Sequence, residues 1–155
     1  MTTPEQLERY EENLLELIWK YGWAIQHERG RGITPGFSYT VGLCGLSAPE
    51  LVIFGLEPNV SQLILNTVAA SVRDGKRWVC GDRSRAFLAG GRELAFINVA
   101  NSLPDLIMAN RTYLTAVPVP ALQVTWPDRG GAFPWELGWT LGPEVQPLRG
   151  PAPTS

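Results

Sequence analysis

The stretch that decides the fold runs from Pro35 to Leu56 and reads PGFSYTVGLCGLSAPELVIFGL. From Phe37 to Leu43 apolar side chains alternate with small or polar ones, which is typical of a strand with one buried face. Residues 51–56, LVIFGL, are continuously apolar and indicate a strand buried on both faces. Because only a short link separates the two strands, we expect them to pair in antiparallel fashion.

Three helical patterns surround this pair. The first begins with Thr3 as cap, Pro4 in the first turn and Gln6 as capping-box partner, and it ends at Gly22. Its predicted inward stripe consists of Leu7, Tyr10, Leu14, Leu17, Ile18 and Tyr21. A second helix is predicted from an Asn59 cap to the Asp74-Gly75 stop, and a third over residues 101–114 with Ser102 as its cap.

Further strands are predicted at residues 23–27, 77–80, 85–88, 93–100 and 121–126. Short links between successive strands favour an α+β fold with a largely antiparallel, or mixed, sheet on which about three helices pack. Eight of the thirteen prolines follow residue 116, so we expect a Pro- and Trp-rich C-terminal arm there. Residues 1–150 are predicted to form a single domain, and residues 151–155 a frayed tail.

Composition restricts the class of protein. The chain has 155 residues and a net charge of −2, which disfavours a nucleic-acid or membrane partner. Neither a signal peptide nor a membrane-spanning run is present, so we expect a cytoplasmic protein, a monomer or a small homo-oligomer. Eleven arginines against two lysines suggest a bacterial or phage genome. Cys44 and Cys80 either form a disulfide or are buried reduced thiols, and the second interpretation is favoured.

Known catalytic and metal motifs are absent from the sequence, and we expect no metal and no cofactor. The single histidine, His27, is a candidate base for Ser38 or Cys44, but a structural role is favoured. Basic residues between Arg73 and Arg85 are interrupted by acids, which disfavours nucleic-acid binding.

Two regions are candidate ligand- or partner-binding sites. In the opening stretch, Tyr39 and Thr40 lie within a strand and Glu50 precedes the buried run, where it either bonds loop N–H groups or meets a ligand. The alternation predicts Tyr39 in the core and Thr40 on the opposite face.

The second candidate region is WPDRGGAFPWE, residues 126–136. In one interpretation this segment is structural: Trp126 and Trp135 cover the core, and Asp128 caps the turn. In the other, the two tryptophans form a rigid aromatic surface beside Asp128 and Glu136, as in many ligand-binding sites.

Five segments carry a resemblance to a known family: YGWAIQHE, PGFSYTVGL, APELVIFGL, ALQVTWPDRGGAFPWELG and VQPLRG. Over residues 21–150 the chain resembles the bacterial family called domain of unknown function 4262. The resemblance implies a small stand-alone domain and supplies no catalytic residue. Many relatives have His-Pro-Glu where this chain has Ala48-Pro49-Glu50, so any chemistry of that histidine is lost here.

The leading hypothesis is a non-catalytic module that binds a protein or small-molecule ligand in a groove formed by both candidate regions. The alternative is a small enzyme in which Glu50 or Asp128 acts as general acid or base. A third reading is a flavin-binding split barrel.

Overall fold

A computed structural model describes residues 2–114 and 116–153. Its three helices are α1 (Pro4–Tyr21), α2 (Pro58–Arg73) and α3 (Ile107–Tyr113). Its six strands are β1 (Ala24–Glu28), β2 (Phe37–Val41), β3 (Glu50–Phe54), β4 (Arg83–Ser84), β5 (Leu94–Asn98) and β6 (Ala121–Thr125). The predicted fraying of Thr154 and Ser155 lies outside the described residues.

The six strands form one mixed sheet in the order β1-β2-β3-β6-β5-β4. β2 and β3 pair in antiparallel fashion, as predicted, and β3 and β6 form the parallel pair at the centre. The other neighbouring strands are antiparallel. The fold is therefore α+β with three helices and a mostly antiparallel sheet, which confirms the predicted fold class.

Helices cover both faces of this sheet. Leu65 and Val68 of α2 pack with Leu51 and Ile53 of β3 on one face. On the other face, residues of α1 and α3 pack with alternate residues of the same central strands: Leu14, Met108, Ala109, Tyr39, Val52 and Phe54. Burial of both faces explains why the LVIFGL run shows no polar alternation.

The predicted cap of α1 is confirmed, but its predicted inward stripe is partly wrong. Thr3 and Gln6 form a reciprocal capping box, and Gly22 closes the helix in the left-handed conformation. Within the stripe only Leu14 is buried. Tyr10, Leu17 and Tyr21 remain 43%, 45% and 53% exposed, because they lie beside the edge of the sheet and line cavities there.

The predicted start of α3 is also wrong. The helix begins at Ile107, with Leu106 as its N-cap residue. Ser102 is buried, and its hydroxyl donates to the Val119 carbonyl at 2.7 Å. The residue expected to cap the helix is therefore used to attach the loop before α3 to the chain that enters β6.

The predicted strands at residues 77–80 and 85–88 are not strands; β4 between them is only two residues long. A turn replaces the first, since the Asp82 carboxylate accepts from the Val79 N–H at 2.9 Å. Trp78 stacks on Phe96 with ring centroids 4.6 Å apart and so packs against the sheet as a loop residue. α2 also has Glu57 rather than Asn59 at its N-cap, because Pro58 occupies the first turn.

Two buried glutamines fasten the chain after β6 to the sheet. Gln123 donates to the Pro147 carbonyl and accepts from the Arg149 N–H, at 2.9 and 2.8 Å. Gln146 exchanges two hydrogen bonds with the backbone of Trp126. A Cβ added at Gly55, which has φ +85°, would lie 2.1 Å from the Val145 carbonyl oxygen, so this crossing requires glycine.

Candidate functional site

Glu50, the first residue of β3, is fully buried and accepts hydrogen bonds from β2 and from the chain that follows it. One carboxylate oxygen accepts from the Thr40 hydroxyl at 2.8 Å and from the Leu43 N–H at 3.1 Å. The other accepts from the N–H groups of Gly42 and Cys44, at 3.0 and 3.2 Å. Glu50 thus satisfies the orphan donors at the start of the 3₁₀ helix Leu43–Leu46.

The protonation equilibrium of Glu50 reflects two opposing effects. Burial raises the pKa of its carboxyl above the ordinary value, and the four hydrogen bonds oppose that rise. Since each oxygen already has two donors, the site has the geometry of an ionised carboxylate. The nearby Cys44 thiol has a raised pKa from burial and from the charge of Glu50.

Tyr39 and Thr40 lie in the interior beside Glu50, each with 0% of its surface exposed. The Tyr39 hydroxyl accepts from the Met108 N–H at 2.9 Å, and burial raises the pKa of this phenol. The Thr40 oxygen also accepts from the Leu51 N–H at 2.9 Å. Both hydroxyls are hydrogen-bonded within the protein, and the role of these residues in ligand binding stays a prediction.

Asp128 closes the turn that follows β6. Its carboxylate accepts from the Ala132 N–H at 2.9 Å and from both the N–H and the hydroxyl of Thr140, at 2.8 and 2.9 Å. Desolvation acts to raise the pKa of Asp128, but these hydrogen bonds outweigh it and lower the pKa below its ordinary value. Asp128 therefore also caps backbone and hydroxyl donors of the protein.

The other predicted residues of this segment have protein partners as well. The Trp126 indole donates to the Phe54 carbonyl at 2.7 Å. Trp135 stacks on Phe133, with centroids 5.0 Å apart. Glu136 accepts from the Phe133 N–H at 2.8 Å and pairs with Arg83 at 3.5 Å. Their roles in binding likewise stay predictions.

Glu50 of the first predicted region and Trp126 of the second lie at opposite ends of β3. Glu50 begins the strand, whereas Trp126 contacts Phe54, its last residue. Four residue steps separate Glu50 from Phe54, about 13 Å at the usual strand rise. The second region therefore contacts the opening stretch at Phe54, at the end of β3 opposite to Glu50.

A concave site that the sequence analysis did not predict lies along β1, between α1 and α2. Its volume is about 460 Å³, within the usual range of ligand sites. Leu17 and Tyr21 of α1 form the apolar wall. The polar wall comes from α2, through Gln62, Asn66 and Arg73. The floor comes from β1 and the residue before it, through Trp23, Ala24, Ile25 and His27.

Hydrogen bonds fix the polar side chains of this cavity. The Trp23 indole donates to Asn66 Oδ1 at 2.9 Å. His27 lies 2.6 Å from the Ser38 hydroxyl through Nδ1 and 3.1 Å from Gln62 Oε1 through Nε2. Because Ser38 is only 2% exposed, this pairing orients the imidazole and does not present a nucleophile.

A second cavity, of about 490 Å³, continues along the other end of β1. Tyr10 of α1, Gln26 and Glu28 of β1, and Ile107 of α3 line it. The Tyr10 hydroxyl donates to the Gln26 side chain. The signal for both cavities in the sequence was the apolar flank of α1, which the helical period assigned to the core.

Fold and site together define an α+β domain with a concave surface along one edge strand. The chain belongs to the family described as Domain of unknown function (DUF4262), whose model matches residues 17–140. No curated protein and no solved structure matches the chain. None of the described helices combines the length and apolarity needed to cross a bilayer. Across residues 2–114 and 116–153, no three histidine, cysteine or acidic side chains gather into a metal site.

Proposed function

We propose that the protein is a non-catalytic binding module that takes an extended segment of a partner protein along the edge of β1. The observation that carries the proposal is the position of β1 at the end of the sheet order. All five of its residues pair with β2, and no second strand adjoins β1 among the described residues. Such an edge offers backbone N–H and C=O groups to an added strand.

The two edges of the sheet differ in how they are protected. β4, the opposite edge, has only two residues and carries Arg83, which are usual devices against edge pairing. β1 is longer, contains neither proline nor lysine, and keeps a continuous register from Ala24–Val41 to Glu28–Phe37. β1 is thus the edge better suited to accept a strand.

The walls of the site determine which segment would fit. Side chains of an added strand point alternately to the two faces of the sheet. One set would contact Leu17 and Tyr21, and the other would approach Gln62 and His27. We therefore expect a partner segment with apolar residues at every second position and amide or hydroxyl side chains between them.

The alternative function, a small enzyme with Glu50 or Asp128 as general acid or base, has less support. Each carboxylate accepts several hydrogen bonds from its own loop. A group in that arrangement must give up a structural bond before it exchanges a proton with a substrate. A cytoplasmic location and a bacterial or phage source belong to the proposal as expectations from sequence.

A peptide library displayed on phage, selected against the immobilised full chain, tests the proposal. The selected peptide is then titrated into ¹⁵N-labelled protein. We expect shifts concentrated at residues 24–28, and new hydrogen-exchange protection of the outward amides of β1. Leu17→Glu should weaken binding by tenfold or more, about 1.4 kcal/mol, because it puts a charge on the apolar wall.

Leu15→Glu is the matched control, because Leu15 is 54% exposed on the same helix and does not line the cavity. It should leave peptide affinity unchanged. Equal losses in the two variants, or shifts centred away from β1, would overturn the proposal. If light scattering and hydrogen exchange show a homodimer that buries β1, self-association replaces the binding of a partner protein.

A further inference from the structure

A third, chemically different pocket lies at the other side of the sheet, where the loop before β5 meets the turn after β6. Its volume is about 290 Å³. Three arginines and one carboxylate line it, together with glycine-rich backbone: Arg85, Arg92, Arg129, Glu93, Gly91, Gly130 and Gly131. This lining is cationic in a chain whose net charge is −2.

The positive charge of this pocket is only partly neutralised. The Arg92 guanidinium donates to the Pro127 carbonyl at 2.9 Å and to the Asp128 carbonyl. These neutral acceptors fix the group and leave its charge uncompensated. Arg129 is exposed and has no hydrogen bond or ion pair with any residue that the structure describes.

Glu93 is the one acid in the lining, and it is shared between two arginines. It lies 3.3 Å from Arg85 and 3.7 Å from Arg83, which stands outside the pocket. Arg85 also donates to the Gly91 carbonyl at 2.7 Å. The Asp128 carboxylate, behind the turn, accepts from the N–H groups of Ala132 and Thr140 and forms no ion pair with the three arginines of the pocket.

We propose that this pocket binds a phosphoryl group, as inorganic phosphate or as the phosphate of a small organic ester. Guanidinium groups donate in a planar fork that matches phosphate oxygens. The three arginines supply donors from both loops, and Arg92 is already oriented by the carbonyls. The cavity is larger than the ion itself, which leaves room for a small organic group. The inference does not depend on the β1 site.

Isothermal titration of the full chain with sodium phosphate and with phenyl phosphate, at ionic strength held constant with sodium chloride, tests the proposal. We expect both probes to bind one site. Arg129→Gln and Arg85→Gln should each weaken binding by about tenfold, since each removes a charge-assisted hydrogen bond. Tighter binding of phenyl phosphate assigns the site to esters, and tighter binding of inorganic phosphate assigns it to the free ion.

Arg9→Gln is the control. Arg9 is an exposed arginine of α1, outside the pocket, and its substitution changes the net charge by the same amount. It should leave both affinities unchanged. Absence of binding to the wild-type protein would overturn the proposal. So would equal weakening by Arg9→Gln, which would show a general effect of net charge. Circular dichroism of each variant confirms that it is folded.

Discussion

Replacement of Glu50 by glutamine is the sharpest test of the structural role of this carboxylate. Both oxygens accept two donors each, from Thr40 and Leu43 and from Gly42 and Cys44. The amide has one acceptor oxygen, and its NH₂ group faces two donors in either orientation. Two hydrogen bonds to a charged group are lost, which costs about 3–6 kcal/mol.

One effect opposes this loss. Glu50 is 0% exposed, and the neutral amide avoids the desolvation of a buried charge, so we expect a net destabilisation of about 2–4 kcal/mol. For a chain of this size that corresponds to a fall in Tm of about 4–16 °C.

Urea unfolding monitored by circular dichroism, with thermal melts beside it, measures both quantities. Glu57→Gln is the control, because Glu57 is exposed and its side chain makes no capping bond at the start of α2. The control should change stability by less than about 0.5 kcal/mol. A Glu50→Gln protein as stable as this control would refute the capping role and restore Glu50 as a candidate functional acid.

Three further outcomes are expected. Gly55→Ala should destabilise the protein by about 2–4 kcal/mol in urea unfolding, because a Cβ would meet the Val145 carbonyl at positive φ. Thr40→Val, which keeps volume but loses the bonds to Glu50 and Leu51, should cost about 1–3 kcal/mol by the same method. The pKa of Asp128 is lower in the folded protein than its ordinary value of 3.8. The ionised carboxylate therefore stabilises the fold above pH 3.8, and this stabilisation is lost as the pH falls through the folded-state pKa. Asp128→Asn should therefore flatten the acid limb of a Tm-against-pH curve, and an unchanged limb would contradict the assignment.

Elements governed by local rules could be predicted from the sequence. The capping box at Thr3 and the stop at Gly22 depend only on neighbouring residues, and both are present. The antiparallel β2–β3 pair followed from two apolar patterns and a short link. The parallel pairing of β3 with β6 could not be predicted, because it joins residues about seventy positions apart through contacts that no local pattern records.

The predictions failed where tertiary contacts outweighed local preference. Ser102 has good capping chemistry, yet its hydroxyl is used by Val119. Alternation correctly placed Thr40 opposite Tyr39, but α2 covers that face and Thr40 is buried as well. Periodicity predicts the apolar flank of α1 in the core, because it cannot distinguish a helix face beside a sheet edge from a buried face.

The positions of the two carboxylates explain why the edge of the sheet, rather than its centre, is the better candidate for function. β3 and β6 are the central parallel pair. Glu50 bonds the loop at the start of β3, and Asp128 bonds the turn beyond the end of β6. Loops at a sheet centre present donors that no neighbouring strand satisfies, and a carboxylate that accepts several of them removes that cost.

In these loops the backbone donors near Glu50 and Asp128 already have partners, so few hydrogen-bonding groups are left for a ligand. The backbone of β1 has such groups at the sheet edge, beside the exposed side chains of Leu17 and Tyr21. A binding partner gains most where it supplies hydrogen bonds and buries apolar surface at the same time. In this fold both gains are available along β1, which is why we propose that the partner binds there.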